Sequence, residues 1–401
     1  MSAHSRLPGF GVFCLTLLLW QLQFAFKLHH QTSATTSATA HVGWIPELHQ
    51  VSKKGELSSK NESFSACLLT MDDNHWLIEW LAYHYHVLPL YSLVVVRDPQ
   101  SKTTSQAILE RWKNRIHIRE WNDARILPAW VLRKWRAGNI STVSLHRYRQ
   151  QFFYAACMKD FQRRNQTWIL LSDVDEFVRP NPYLNGTTTT PPPLSQPGSV
   201  LVTLQQHGLE RQLVNDKPPL QCIHVPRIQM ATKEDQQDTQ HSSILPLKSW
   251  NASHFLTTRW LHHNGHEIRG PKNLNGKNVV NVQTIQKADI PRKVPNVHTV
   301  LPDICPATVG DRLYHTDSPL VIHHYAGSLE QFRYRQDPRD QVAGRPHRTD
   351  PNVWSAIGQT VSSPASIKDD STTAWLPGFV ASVGAKEAAR LLDGVGVVGI
   401  E

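Results

Sequence analysis

Trp168-Ile169-Leu170-Leu171-Ser172-Asp173-Val174-Asp175-Glu176-Phe177 sets a short apolar run directly against three carboxylates. Trp168 to Leu171 reads as a buried strand, apolar throughout and flanked by polar residues. Acidic side chains crowded at the end of such a strand are costly unless positive charge meets them. A divalent cation is the usual solution, and oxygen ligands suit Mg²⁺ or Mn²⁺. In open α/β sheets, ligands bind outside the carboxyl ends of the strands. An Asp-x-Asp at this place therefore points to a metal–phosphate site. A solvated acidic turn is the plainer alternative for so short a motif.

Upstream, the pattern alternates. Ala66-Cys67-Leu68-Leu69 is a compact apolar strand that stops at Asp72-Asp73-Asn74. Trp76 to His84 carries apolar residues at 76, 77, 80 and 81, the spacing of an amphipathic helix, with Asn74 as its N-cap. Tyr91 to Val96 is a Val-rich strand ending at Arg97-Asp98-Pro99. Ser105 to Trp112 reads as a helix and Ile116 to Ile118 as a short strand. This βαβαβ order predicts a parallel, nucleotide-binding type of sheet. Both early strands end in Asp; a cap or turn explains that as well as nucleoside contacts do. A long helix opens at His146 and runs to about Arg164, with Phe152, Phe153, Ala156, Cys157 and Phe161 on one stripe. Arg147 or Arg149 near its start can meet a diphosphate.

The 401 residues suffice for one large α/β domain or two smaller ones. The net charge of +9 is spread out, with no Lys/Arg block of the kind that binds nucleic acid. The balance fits an anionic substrate or membrane proximity. The five cysteines contain no C-x-x-C pair, which argues against a Cys-built zinc site. Cys67, Cys157, Cys222 and Cys305 could form two bridges in an exported chain, while Cys67 and Cys157 also fit buried free thiols.

Phe10 to Phe26 is largely apolar and free of Asp and Glu, with Arg6 before it and Lys27 after it. Two readings compete: an uncleaved signal anchor, or a cleaved signal peptide that releases a secreted chain. The anchor gives a single-pass type II protein facing the Golgi or ER lumen. Sequons at Asn61, Asn139, Asn165, Asn185 and Asn251 agree with export. The expected organisation is a cytosolic tail (1–9), an anchor helix (10–28) and a flexible stem (29–60). A catalytic domain (61–340) with a low-complexity insertion (181–198) follows, then a C-terminal extension (341–401) without a functional reading.

Four motifs in this order resemble glycosyltransferase family 92, a family within the GT-A nucleotide-sugar fold. They are S-A-C-L-L-T-M-D-D-N-H-W-L-I-E-W-L-A-Y-H, V-V-V-R-D-P-Q-S, R-Q-Q-F-F-Y-A-A-C with W-I-L-L-S-D-V-D-E-F, and H-H-Y-A-G-S-L-E-Q-F. Together they span about Ser63 to Phe332. The chain departs at Asp72-Asp73, where relatives often carry Lys-Asn-Glu. The resemblance implies an α/β, GT-A-like fold with a mostly parallel central sheet and flanking helices. It further implies Mn²⁺ or Mg²⁺ as cofactor, a UDP-sugar donor, a glycan or glycoconjugate acceptor and inverting galactosyl transfer. On that basis Asp173, Asp175, His298 and His324 are the candidate metal ligands. Asp72, Asp73, Glu79, Asp98, Arg147, Gln150, Asp173 and Lys277 are the candidate donor-binding residues. Glu176 is expected to orient its neighbours. Glu234 and Asp235 are candidates for the general base, which must reach the acceptor hydroxyl; a charged surface loop is the plainer explanation of either.

Other segments carry structural expectations only. Ser199 to Leu204 and Cys222 to Met230 each read as a strand, Gln331 starts a helix, Thr360 to Thr373 reads as loop and the tail from Gly394 as frayed. Two other classes fit an Asp-x-Asp after a strand: a phosphohydrolase of the haloacid dehalogenase type and a non-catalytic carbohydrate-binding protein. The former wants Thr or Val two residues after the second Asp, where this chain has Phe177.

Overall fold

The computed structural model describes residues 64–182, 184, 190–215, 220–231, 250–251, 254–264, 276–305, 318–335 and 366–400. The expected anchor and stem, Asn61, Asn185, and the base candidates Glu234 and Asp235 lie outside them. Among the described residues no helix is long and apolar enough to cross a membrane.

A six-stranded sheet orders the chain β3-β2-β1-β4-β9-β6. Its strands are β1 (Phe64–Thr70), β2 (Leu90–Arg97), β3 (His117–Trp121), β4 (Trp168–Leu171), β6 (Cys222–Val225) and β9 (Lys277–Asn281). β1 pairs in parallel with both β2 and β4, and β2 with β3; β9 is antiparallel to β4 and to β6. The chain is thus a mixed α/β protein with a mostly parallel central sheet. Strand β1 explains why. Its alternate side chains enter two cores: Ala66 and Leu68 one, Cys67 and Leu69 the other. A strand buried on both faces needs a continuous apolar run, and helices must cover both faces.

Helix α1 (Asn74–Val87) packs one face of the sheet, and α4 (Thr142–Arg163) the other. Between them come α2 (Gln106–Trp112) and α3 (Ala129–Arg136). The helical spacing of Trp76, Leu77, Trp80 and Leu81 predicts an exposed opposite face for α1. Instead all fourteen of its residues are buried. The reason lies at the far end of the chain. Helix α7 (Trp375–Val383) covers it, with Trp375 edge-on to Tyr83 at 5.5 Å between centroids, and α8 (Ala385–Leu391) packs against α7 and α2. Removing a fully buried Trp costs about 3–5 kcal/mol, so the C-terminal segment carries core stability. The tail is not frayed either: Gly396 N donates to His75 O, and Asn74 Nδ2 donates to Ile400 O.

A three-stranded sheet, ordered β5-β10-β7, stands beside the first. It comprises β5 (Glu176–Pro180), β10 (Leu320–Tyr325) and β7 (Arg227–Met230); β8 (His262–Asn264) and β11 (Ser366–Lys368) form a separate pair. Two strand expectations need correction here. Pro226, which has no N–H to donate, divides Cys222 to Met230 into β6 and β7, and the halves join different sheets. Ser199 to Leu204 opens helix α5 (Ser199–Asn215). Its β-branched run reads as strand, but Ser199, Val200, Thr203 and Leu204 are the buried positions among its described side chains, a helical spacing. The Thr360 to Thr373 stretch likewise contains β11 and a 3₁₀ turn, Ser371–Ala374.

Both cysteine pairs are bridged, Cys67 to Cys157 and Cys222 to Cys305. The first ties β1 to α4 across the core and excludes the free-thiol alternative for Cys67 and Cys157.

Candidate functional site

β1 has β2 on one side and β4 on the other, so the strand order reverses there. The carboxyl ends of β1 and β4 flank that switch point, the place where open α/β sheets bind ligands. Met71-Asp72-Asp73 leaves one strand and Ser172-Asp173-Val174-Asp175 the other. The β5–β10 ladder then sets His324 opposite Glu176, and Tyr325 N donates to Asp175 O. The second sheet thereby delivers a histidine to the Asp-x-Asp.

The charges at this crevice are arranged in a definite way. Lys277 starts β9, is 1% exposed, and places Nζ 2.7 Å from Asp173 Oδ2 and 3.5 Å from Glu176 Oε2. Gly276 lets the backbone enter here, because a Cβ would stand 2.1 Å from Val225 O. Glu176 Oε2 also accepts from Asp173 N at 2.9 Å, which fixes the turn. Burial raises the Asp173 carboxyl, but the Lys277 charge outweighs it and holds the group well below the usual carboxylate range. Burial dominates at Glu176 and raises it. Burial lowers Lys277, yet Asp173 and Glu176 more than reverse that.

Asp175 and His324 form the second element. Gln229 Nε2 donates to His324 O at 3.2 Å, so its Oε1 faces His324 Nδ1 at 2.6 Å as an acceptor. Nδ1 therefore carries the proton. His324 Nε2 then faces Asp175 Oδ2 at 3.6 Å. A lone pair opposite a carboxylate is tolerated only with a proton or cation at the meeting point. Asp175 Oδ1 is buried without a protein partner. Burial raises the Asp175 carboxyl and His324 brings it below its ordinary value.

Thr70 Oγ1, Asp72 Oδ2, Ser172 Oγ, Glu176 Oε1 and both ring nitrogens of His75 are also buried without partners. They lie at or just beyond the carboxyl ends of β1 and β4. Such atoms cost about 1–3 kcal/mol each when left unmet, and a polar ligand in the crevice could meet those that face it.

The remaining sequence candidates divide. Asp73 is in the crevice, with Arg335 Nη1 3.6 Å from its Oδ1. His298 is close enough for its charge to act on Asp173; it bonds Gly276 O through Nδ1, and burial with Lys277 lowers it to about 4. Asp72 takes φ of 56° and accepts from Lys102 N and Thr103 N, pinning the loop after β2. Asp98 is fully buried at the end of β2, where Arg149 Nη1 and Gln100 N donate to it. Arg149 also grips Asp123 through two nitrogens at 2.7 and 2.9 Å. Arg149, not the exposed Arg147, thus meets the strand end, and Gln150 is half-buried. Glu79 does not reach the crevice. It lies past the first turn of α1, and its carboxylate accepts from Leu256 N, Thr257 N and Thr257 Oγ1. Gln229 and Ser172 carried no sequence signal. Arg335 does carry one, since Arg333, Arg335 and Arg339 form a basic run after the His-His-Tyr strand.

No family model matches the chain, and no curated protein does. Among solved structures the chain is similar to two crystal structures of TarS from S. aureus. The first, of residues 1–349, has 12% identity and a TM-score of 0.29, covering 84% of this chain and 90% of that one. The second has 12% identity and a TM-score of 0.30, covering 81% of this chain and 50% of that one. Likeness this slight decides nothing about fold or activity.

Proposed function

We propose that the chain is a glycosyltransferase that moves a sugar from a nucleotide donor, a UDP-sugar, to a glycan acceptor. The observation that carries the reading is the pairing of Asp175 with His324 at the sheet's switch point, beside a row of unmet buried polar atoms. Among the described residues no three His, Cys, Asp or Glu side chains converge on one cation position. Mg²⁺ or Mn²⁺ at phosphate-transfer sites typically takes one or two carboxylates and completes its shell with substrate phosphate and water. Asp175 and His324 would hold the ion, with Asp173 facing the ribose and the ion together. The ion's contribution is to neutralise charge on the departing diphosphate.

The chain's own groups do the rest. Lys277 holds Asp173 in its charged form, and Glu176 holds the turn that aims Asp173. Arg335 adds positive charge opposite Asp73. Galactose as the sugar, and inversion at its anomeric carbon, follow from the family resemblance alone. Glu234 and Asp235 remain the proposed bases. Residence in the Golgi or ER lumen, anchored through 10–28, is supported by two disulfides, which persist in oxidising compartments. The sequon residues Asn139, Asn165 and Asn251 are exposed.

The test is a panel of UDP-sugars with Mn²⁺ and glycan acceptors, comparing wild type with Asp175→Asn. We expect transfer or donor hydrolysis that falls at least about a hundredfold in the variant, about 2.7 kcal/mol of lost stabilisation. Equal turnover in the two proteins would refute the role given to Asp175.

A further inference from the structure

Arg133, Lys134, Arg136 and Arg147 are exposed, while Arg149 is paired with Asp98 and Asp123 and Arg125 with Asp160. No Asp or Glu occurs between Asp123 and Asp160, a stretch holding Arg125, Arg133, Lys134, Arg136, Arg147, Arg149 and Lys159. The structure folds it into α3 and most of α4. Residues 292–295 lie along α4, held by Val294 N donating to Gln151 O and Gln151 Nε2 donating to Pro295 O. This brings Lys293 over the Tyr148 ring at 5.3 Å. Trp130 of α3 stands edge-on to the same ring at 5.7 Å, and Lys134 lies over Trp130 at 5.6 Å. Trp130 is 41% exposed.

A second cation cluster continues the stripe. Lys159 follows Tyr148 by eleven residues, three helical turns, so both lie on one face of α4 about 16 Å apart. There Lys159 is crowded by Arg292 and Lys287. Burial and these two like charges lower its affinity for a proton. Asp289 is the exposed acid beside them.

We propose that this stripe binds an acidic glycan chain, the acceptor of the transferase reading on which this inference rests. A sugar ring stacks on the Trp130–Tyr148 pair, and carboxylate or sulfate groups meet Lys134, Lys293 and the Lys159–Lys287–Arg292 cluster. The exposed cation–π contacts at Trp130 and Tyr148 are worth about 0.5–1 kcal/mol each, little enough for an anionic sugar to displace the lysines from the rings. A glycan fits better than an anionic membrane. Insertion into a headgroup layer needs several protruding apolar side chains, and Trp130 is the large exposed hydrophobic that the described residues place on this face.

The test is direct binding to the whole chain without donor, using polygalacturonate, heparin, neutral dextran and vesicles rich in phosphatidylserine. We expect one acidic polysaccharide to bind and dextran not to, with affinity falling at least about tenfold from low to high salt. Which polymer binds distinguishes uronate from sulfate recognition. Lys134→Ala with Lys293→Ala, and separately Trp130→Ala, should each weaken binding about tenfold while near-UV circular dichroism keeps its native shape. The proposal is overturned if neither acidic chain binds, if dextran binds equally, if folded variants bind like wild type, or if only the vesicles bind. UDP-sugar binding, measured separately, keeps the two readings apart: its absence with the stripe intact refutes the transferase reading, and the converse refutes the stripe.

Discussion

His323 and His324 are neighbours on β10, and they serve opposite ends. In a strand, successive side chains point to opposite faces. His323 enters a closed cluster and is 0% exposed, its Nδ1 at 3.0 Å from Thr372 Oγ1 and its Nε2 at 3.5 Å from Asp369 Oδ2. Arg179 Nη1 closes that cluster on Asp369, Ser371 and Thr372. His324 faces Asp175, whose Oδ1 has no partner, beside an Asp173 side chain that is 37% exposed. Both regions hold a histidine, carboxylates and a cation. Completion separates them: the first is satisfied by its own residues and acts as a strut, while the second leaves polar atoms waiting. A buried Thr–His–Asp contact is therefore not a catalytic constellation merely because its residue types match one.

The comparison breaks if the strut proves dispensable. Asp369→Ala leaves the Arg179 guanidinium buried and uncompensated, and breaking such a pair costs about 3–5 kcal/mol. Urea denaturation should show that loss. A difference under about 1 kcal/mol would mean that the pair holds nothing together.

A buried carboxylate that is satisfied but lacks a cation partner should behave differently again. Burial raises Glu79 to about 7, against the hydrogen bonds from Thr257 and Leu256. The folded state then holds a proton that the unfolded state has released between pH 4.5 and about 7. Stability from this group is full below that window and falls as pH rises through it. His75, His84, His86 and His298 are each lowered, chiefly by burial, to between about 3 and 4. They give the opposite slope, losing stability as pH falls below about 6.5. The difference between wild type and Glu79→Gln isolates the carboxylate: relative to the variant, wild type should lose roughly 1–3 kcal/mol between pH 5 and 7.5. A pH-independent difference would place Glu79 in a wetter setting than this one.

The smallest expected effect lies behind the open histidine. Gln229→Ala removes the acceptor that fixes the His324 tautomer. Losing such an outer partner typically weakens metal affinity by about 10–100-fold. Mn²⁺ titration should show it with stability little changed; unaltered affinity would mean that Gln229 does not set the ring.

The core of the sheet was legible because local signals agreed. The apolar runs ending at Thr70, Arg97 and Leu171 are parallel strands, and Asp173 and Asp175 sit at the carboxyl end where the run stops. The pairing of His324 with Asp175 needed the second sheet, formed between residues 176–180 and 320–325, and no local pattern encodes that register. Glu79 and Asp98 show the limit from the other side. A carboxylate beside a strand or on a helix looks alike whether it meets a ligand or a backbone. Only the fold shows that Leu256 and Thr257 meet Glu79 and that Arg149 meets Asp98. The start of helix α5 reads as strand because β-branched residues favour strands, and burial against the core at helical spacing overrides that preference. The covering of α1 by α7 joins segments nearly 300 residues apart, beyond any periodicity.

Calorimetric titration of the full chain with a UDP-sugar, with Mn²⁺ and then with the metal chelated, tests the central claim most directly. The account predicts saturable binding that requires the metal and is lost in Asp175→Asn and His324→Ala, with both variants as stable as wild type. Binding that is unchanged by chelation or by either substitution, or no binding of any UDP-sugar, would contradict it.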